Sequence, residues 1–338
     1  MLDAARTIPL TAALLAALSC AGPYVADTDA TTGDASTTGE TADVDSETTA
    51  GEADTEAETD TAGETDTAGE TGFHGSVKVM SFNILCSFCS NEYDPWDMRV
   101  PWIADTIRRH DPDLVGLQEL SFAEEVAQLQ AELPGYGAIF WGVDGQETPY
   151  PDAAALYRED LFAPVDHGFY WLSPTPDVPM SKGFADGFQL ARLVTWVVLR
   201  RLEDDAELLF ATTHFDNNSP SQELSAPLVL ERTAPLVDGR PGVVVGDFNS
   251  KPQSAAYGLL TGGRPLTLRD AFDLADEWTV DSNMARPLPY DTASRIDHIF
   301  VAGDGWEVPR WIVDTWIYGD KDRHVSDHFA IAAELQLP

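Results

Sequence analysis

Nothing between residues 27 and 72 can be buried. The stretch is built almost wholly from Thr, Ala, Gly, Asp and Glu, with fifteen acidic residues, no Lys or Arg, no aromatic ring and Val44 as its one large aliphatic side chain. The hexapeptide Asp60-Thr61-Ala62-Gly63-Glu64-Thr65 recurs from Asp66 to Thr71. Ordering a backbone costs about 1–2 kcal/mol per residue, and no apolar surface here offsets it. Mutual repulsion then favours an extended, solvated spacer over a cation-binding segment. The spacer divides the chain into a leader at 1–20, an acidic linker at 21–72, and residues 73–338, which hold enough apolar side chains to fold.

In the leader, residues 8–18 form an apolar run with Arg6 before it and Leu18-Ser19-Cys20-Ala21 after it. A bilayer crossing needs about 20 apolar residues, so the run fits the core of an export signal better than a membrane span. The small residues before Cys20 resemble a bacterial lipoprotein cleavage site, with Ala17 where such sites usually carry Leu. That resemblance implies a lipid on Cys20, a membrane anchor and a place at the outer membrane or cell surface. Ordinary signal cleavage and secretion is the alternative, and both export the protein. Cys86 and Cys89 are the remaining cysteines. A zinc site needs about four ligands and no second cysteine pair exists. A small loop disulfide suits an oxidising compartment, and two free thiols are the alternative.

The formal charge of −37 is spread unevenly: residues 73–338 carry 41 acidic and 19 basic side chains, a balance of −22. Proteins that grip a long polyanion use basic stripes that release counterions, and no such Lys/Arg cluster is visible. With no second low-complexity break, this part reads as one domain of about 260 residues. Apolar runs predict strands at 77–84, 113–118, 153–157, 193–202, 208–214, 243–247, 296–301 and 328–335. Amphipathic spacing predicts helices at 96–110, after Asp94-Pro95, at 122–133, ending at Pro134-Gly135, and at 222–237. The class is α/β (α+β), with a mixed sheet or two sheets.

Side chains that carry chemistry sit where these runs end. They occur in Ser81-Phe82-Asn83-Ile84, Gln118-Glu119, Thr213-His214-Phe215-Asp216, Gly246-Asp247-Phe248-Asn249, Arg295-Ile296-Asp297-His298 and Ser326-Asp327-His328, with Tyr157-Arg158 a weaker seventh. Asp247 and Asn249, two apart on an extended segment, point the same way. They suit a water-orienting carboxylate and a phosphoryl donor, or a turn that bonds its own backbone. Glu119 and Asn83 are hard oxygen ligands of the kind Mg²⁺ takes. Asp297, an acid in a buried strand, needs a partner, and His328 held in one tautomer would satisfy it. His298 then points to the opposite face as a structural residue.

In this order, the motifs resemble those of the endonuclease/exonuclease/phosphatase superfamily, the deoxyribonuclease-I-like metal-dependent hydrolases, from about residue 77 to 337. The resemblance implies a four-layer sandwich, two packed mixed β-sheets flanked by helices, with the site at one edge. It implies Glu119 as the principal Mg²⁺ ligand (Mn²⁺ is the substitute), with Asn83 and Asp327 completing the metal site. Asp247 would position the attacking water, Asn249 hold the phosphate, and His214 stabilise the transition state or assist the leaving group. His328, oriented by Asp297, would act as base or as donor to a phosphoryl oxygen. Tyr157, Arg158, Lys182 and Arg192 are candidate substrate contacts. The loop at 172–190 has Lys182 as its one basic residue, unlike the basic loops of duplex-cutting nucleases. The expectation is therefore a monomeric phosphodiesterase acting on a small phosphodiester or phospholipid head group. An extracellular nuclease on DNA or RNA and a non-catalytic surface binding protein are the rivals.

Overall fold

The computed structural model describes residues 75–141, 152–184, 190–319 and 322–338. The leader, linker and Cys20 lie outside these residues. In chain order the elements are β1 (Ser76–Asn83), α1 (Trp96–His110), β2 (Leu114–Leu120), α2 (Ala123–Glu132), β3 (Tyr136–Ile139), β4 (Asp152–Arg158), β5 (Phe162–Trp171), β6 (Leu193–Arg201) and β7 (Glu207–His214). There follow α3 (Ser221–Val237), β8 (Gly242–Asp247), α4 (Ala255–Gly262), β9 (Leu268–Asp270), α5 (Ala271–Leu274), β10 (Ala275–Asp281), β11 (Asp297–Ala302), β12 (Glu307–Asp314) and β13 (Ile331–Gln336).

Among the described residues, thirteen strands make two mixed sheets, one ordered β10-β12-β13-β1-β2-β4-β3 and the other β5-β6-β7-β8-β11-β9. Strand alternation sorts the side chains into layers. Val77, Val79, Leu114, Phe210, Val243, Val245, Ile299 and Val301 pack in a shared core. Met80, Phe82, Val115 and Leu117 face the other way, onto Ile103 and Ile107 of α1 and Leu129 of α2. Ala211, Val244 and Phe300 pack with Val229 and Leu230 of α3 and Leu260 of α4. The result is helix, sheet, sheet, helix, as the resemblance implies.

Because alternation has period two, the inward set continues to the strand ends. Asn83 shares a face with Val77 and Val79, His214 with Phe210, Asp247 with Val243 and Val245, and Asp297 with Ile299 and Val301. The last inward position of β1, β7 and β8 and the first of β11 are thus polar, and pairing aligns those of β7, β8 and β11. His214 lies opposite Asp247 across the parallel β7–β8 pair, and Asp297 opposite Asp247 across the antiparallel β8–β11 pair. Gly246 permits this closeness, since a Cβ there would fall 2.1 Å from the Thr213 carbonyl oxygen.

Candidate active site

Glu119 does not follow the alternation. On β2, Val115 and Leu117 face outward, so strict pleating would send Glu119 outward too. Instead the β2–β4 register slips between Leu117 and Leu120, and Glu119 takes a left-handed φ of 70°. The irregularity turns its carboxylate inward. There Glu119 Oε1 accepts from Asn83 Nδ2 at 3.2 Å and Oε2 from the Cys86 amide at 2.9 Å. Burial works to raise this carboxyl, but the Cys86 amide and the positive charges of Arg192 and His328 outweigh it, and the group sits below the ordinary glutamate value.

Asp247 is the centre of the cluster. Its Oδ2 accepts from Asn83 Nδ2 at 3.1 Å, faces His214 Nε2 at 3.3 Å and His328 Nε2 at 3.7 Å. Its Oδ1 accepts from the Asn249 amide at 2.8 Å, so the turn and the site share one carboxylate. Against burial, His328 and His214 hold Asp247 far below the usual carboxylate range. Asn249, at φ 47°, gives one amide hydrogen to the Phe215 carbonyl at 3.0 Å.

The two imidazoles are held differently. His328 Nδ1 lies 2.8 Å from Asp297 Oδ2. Burial disfavours a charged ring, but Asp297 and Asp247 override it and hold His328 protonated well above the usual histidine value. His214 Nδ1 lies 2.8 Å from Arg192 Nη1. A guanidinium only donates, so this nitrogen must accept and the ring proton sits on Nε2, toward Asp247. Arg192 is therefore brought to the site but behind His214, buried, with its Nε unpartnered.

Asp327 follows Ser326 in the segment before β13 and interacts electrostatically with Glu119. Burial and the repulsion of Glu119 raise its carboxyl, with His328 pulling the other way. Glu119 and Asp327 repel each other, and a buried oxygen of Asp297 is left unpartnered; a hard divalent cation takes oxygen donors of this kind, one or two carboxylates with water completing its shell. The set fits such an ion. Ser326 fixes this corner: its hydroxyl donates to the Asn83 carbonyl at 2.7 Å and accepts from the His328 amide at 3.2 Å.

Other expected contacts lie elsewhere. β4 runs antiparallel to β2, so Tyr157 pairs with Leu114 at the start of β2, at the opposite end from Glu119. Arg158 donates there to Asp111 and Asp160. The structure thus removes Tyr157 and Arg158 from the site. Lys182 is exposed on the loop after β5. Cys86 and Cys89 form a disulfide. His298 Nδ1 lies 2.8 Å from Asp270 Oδ2 and its Nε2 donates to the Ser250 carbonyl, on the face away from His328.

Arg99 went unread in the sequence. Buried on α1, it donates to the carbonyls of Asp94, Ile84, Leu85, Cys86 and Val325, tying the end of β1 to the segment bearing Ser326-Asp327-His328. Its signal was present: Arg99 stands on the apolar stripe of α1, three residues from Trp96 and four from Ile103.

The model of the Endonuclease/Exonuclease/phosphatase family matches residues 80–328. Uncharacterized protein YbhP of Escherichia coli (strain K12) is 25% identical over 275 residues, which is 78% of this chain and 97% of that protein. A crystal structure of an endonuclease/exonuclease/phosphatase family protein from Bacteroides thetaiotaomicron aligns with a TM-score of 0.68 at 32% identity, covering 79% of this chain and 99% of that one. A mannosyl-6-phosphatase from Bacteroides thetaiotaomicron VPI-5482 aligns with a TM-score of 0.65 at 32% identity, covering 77% and 99%. With the two-sheet sandwich and the polar cluster at its edge, these matches make the chain a member of the endonuclease/exonuclease/phosphatase family, a metal-dependent phosphoester hydrolase.

Proposed function

We propose that the protein is a Mg²⁺-dependent phosphodiesterase that hydrolyses small phosphodiesters or phospholipid head groups by attack of water on phosphorus, with Mn²⁺ as substitute. The observation that carries the reading is the inward-turned Glu119 beside an Asp247 carboxylate flanked by two imidazoles, His214 held by Arg192 and His328 held by Asp297. Glu119 and Asp327, with Asn83 in support, would hold the ion. When bound, it neutralises charge on the phosphoryl oxygens and lowers the cost of forming the nucleophile. Asp247, held so low, is a poor store for a proton, so it orients the attacking water. His328, held as a cation by Asp297, and His214 Nε2–H donate to oxygens that gain charge as the ester bond breaks, and Asn249 holds the phosphate. Between the two roles left open for His328, its protonation favours the donor.

The acidic surface supports small substrates over long nucleic acid. The 32% identity to a mannosyl-6-phosphatase favours a second reading, phosphomonoester hydrolysis on a sugar phosphate. A lipid on Cys20 and the acidic spacer would tether a monomeric domain outside the cell.

The test is hydrolysis of bis-p-nitrophenyl phosphate, p-nitrophenyl phosphate, mannose 6-phosphate, sphingomyelin and plasmid DNA, with Mg²⁺, Mn²⁺ or EDTA. Metal-dependent turnover of the diester or sphingomyelin supports the first reading, and preference for the monoesters moves the assignment to the second. Rapid cleavage of plasmid at physiological salt establishes a nuclease instead.

A further inference from the structure

Cys86 and Cys89 take no part in the phosphoester chemistry. Yet their sulfurs and a Glu119 carboxylate oxygen all lie within 4.8 Å of one another. The pair is disulfide-bonded, with Cα atoms 5.2 Å apart, and contacts independent of that bond hold it against Glu119. The Cys86 amide donates to Glu119 Oε2 at 2.9 Å, and the Cys89 amide to the Cys86 carbonyl at 3.3 Å. Arg99 Nη2 donates to the Leu85 and Cys86 carbonyls at 2.7 and 3.4 Å. Opening the disulfide therefore leaves two thiols beside the same carboxylate. Cys86 is buried and Cys89 partly exposed, and attack of a thiolate on the Cys89 sulfur would open the bond.

Zinc bound tetrahedrally at about 2.3 Å from each sulfur sets two thiolates roughly 3.8 Å apart, within reach of a Cys-x-x-Cys turn. A carboxylate oxygen at about 2.0–2.2 Å is an ordinary third ligand, and water takes the fourth position in open sites. The ligand missing from the cysteine pair in sequence is supplied by β2 in space.

We propose that reduction of Cys86–Cys89 converts this corner into a Cys86–Cys89–Glu119 centre for a thiophilic divalent cation such as Zn²⁺, which takes Glu119 from the hard cation. A dithiol supplies the two electrons and two protons and becomes a disulfide itself; the two thiol protons leave to solvent as the ion binds. The effect on hydrolysis rests on the reading above, whereas the ligand set does not.

The test uses the full chain carrying Cys20→Ser, so that only this pair can supply thiolates, reduced with a phosphine and titrated with Co²⁺. The expected result is one equivalent bound, with thiolate-to-cobalt charge-transfer bands and tetrahedral visible bands that Zn²⁺ abolishes. The oxidised protein and Cys89→Ser lack the two-thiolate bands. Since loss of a residue that only hydrogen-bonds a ligand already costs roughly 10- to 100-fold in affinity, Glu119→Gln weakens binding at least about tenfold, and Glu119→Asp recovers part of the loss. Absence of the bands in reduced protein, or full affinity in folded Glu119→Gln, overturns the centre. Separately, one equivalent of Zn²⁺ abolishes Mg²⁺-supported hydrolysis in reduced protein and spares the oxidised form; equal inhibition of both overturns the link to Glu119. Absence of hydrolysis even in oxidised protein counts against the hydrolase reading, while the cobalt bands still decide the centre.

Discussion

At the scale of single residues, the site depends on where protons sit. Arg192 can only donate to His214 Nδ1, which leaves Nε2 as the protonated nitrogen facing Asp247. Replacing Arg192 by Met frees the ring to take the other tautomer and should lower kcat by about 10- to 10³-fold while circular dichroism stays unchanged. Arg192→Lys, which also only donates, should recover part of that loss, as a packing role alone would not. Asp247→Asn keeps the shape but loses the charge between the imidazoles, and kcat should fall by about 10²–10⁴-fold. Unchanged turnover in steady-state assays would remove Asp247 from the chemistry.

At the scale of elements, two struts hold the sandwich in register. Arg99 on α1 satisfies carbonyls from the end of β1 and from Val325 without a carboxylate partner in those contacts. Arg99→Met leaves those carbonyls without their donor and should cost about 2–4 kcal/mol in urea melts. Turnover should fall further than stability, since the metal-side segments are no longer tied together. At the other end of α1, burial and Arg109 hold His110 down to about 4, while its Nε2 faces Asp314 at 2.8 Å. A histidine depressed in the folded state contributes its stability in full above its unfolded value of about 6.5 and loses it as pH falls toward 4. Wild type should lose up to about 3 kcal/mol over that window beyond the loss in His110→Gln, measured by urea unfolding at each pH. Much of this level was legible beforehand. The strands ending in Asn83, His214 and Asp247 and the helix at 96–110 follow from periodicity. The edge strands β5 and β10, and β12 beside β10, did not, because their mixed burial blurs the period-two pattern.

For the whole molecule, carboxylates gathered at one edge store repulsion that a bound cation relieves. A divalent ion at about 100 times its dissociation constant should add about 2.7 kcal/mol. That is a rise of roughly 5–10 °C in Tm for a domain of this size. The rise should vanish with EDTA and in Glu119→Gln, as read by differential scanning fluorimetry without substrate. If Glu119→Gln kept the full shift, the ion would be binding elsewhere.

The sequence indicated the class of chemistry through the family its motifs resemble, in which polar side chains closing apolar runs sit at strand ends and the strand ends of one sandwich meet at its edges. It also determined that Asp297 needed a partner, since a buried acid cannot stay alone. Only the tertiary structure decided which end of each strand faces the site. Antiparallel pairing carried Tyr157 and Arg158 to the far side, and a slipped register turned Glu119 inward against its own alternation. It alone placed Arg192 behind His214 and Glu119 against Cys86 and Cys89, because contacts across many residues of chain depend on sheet pairing and not on local spacing.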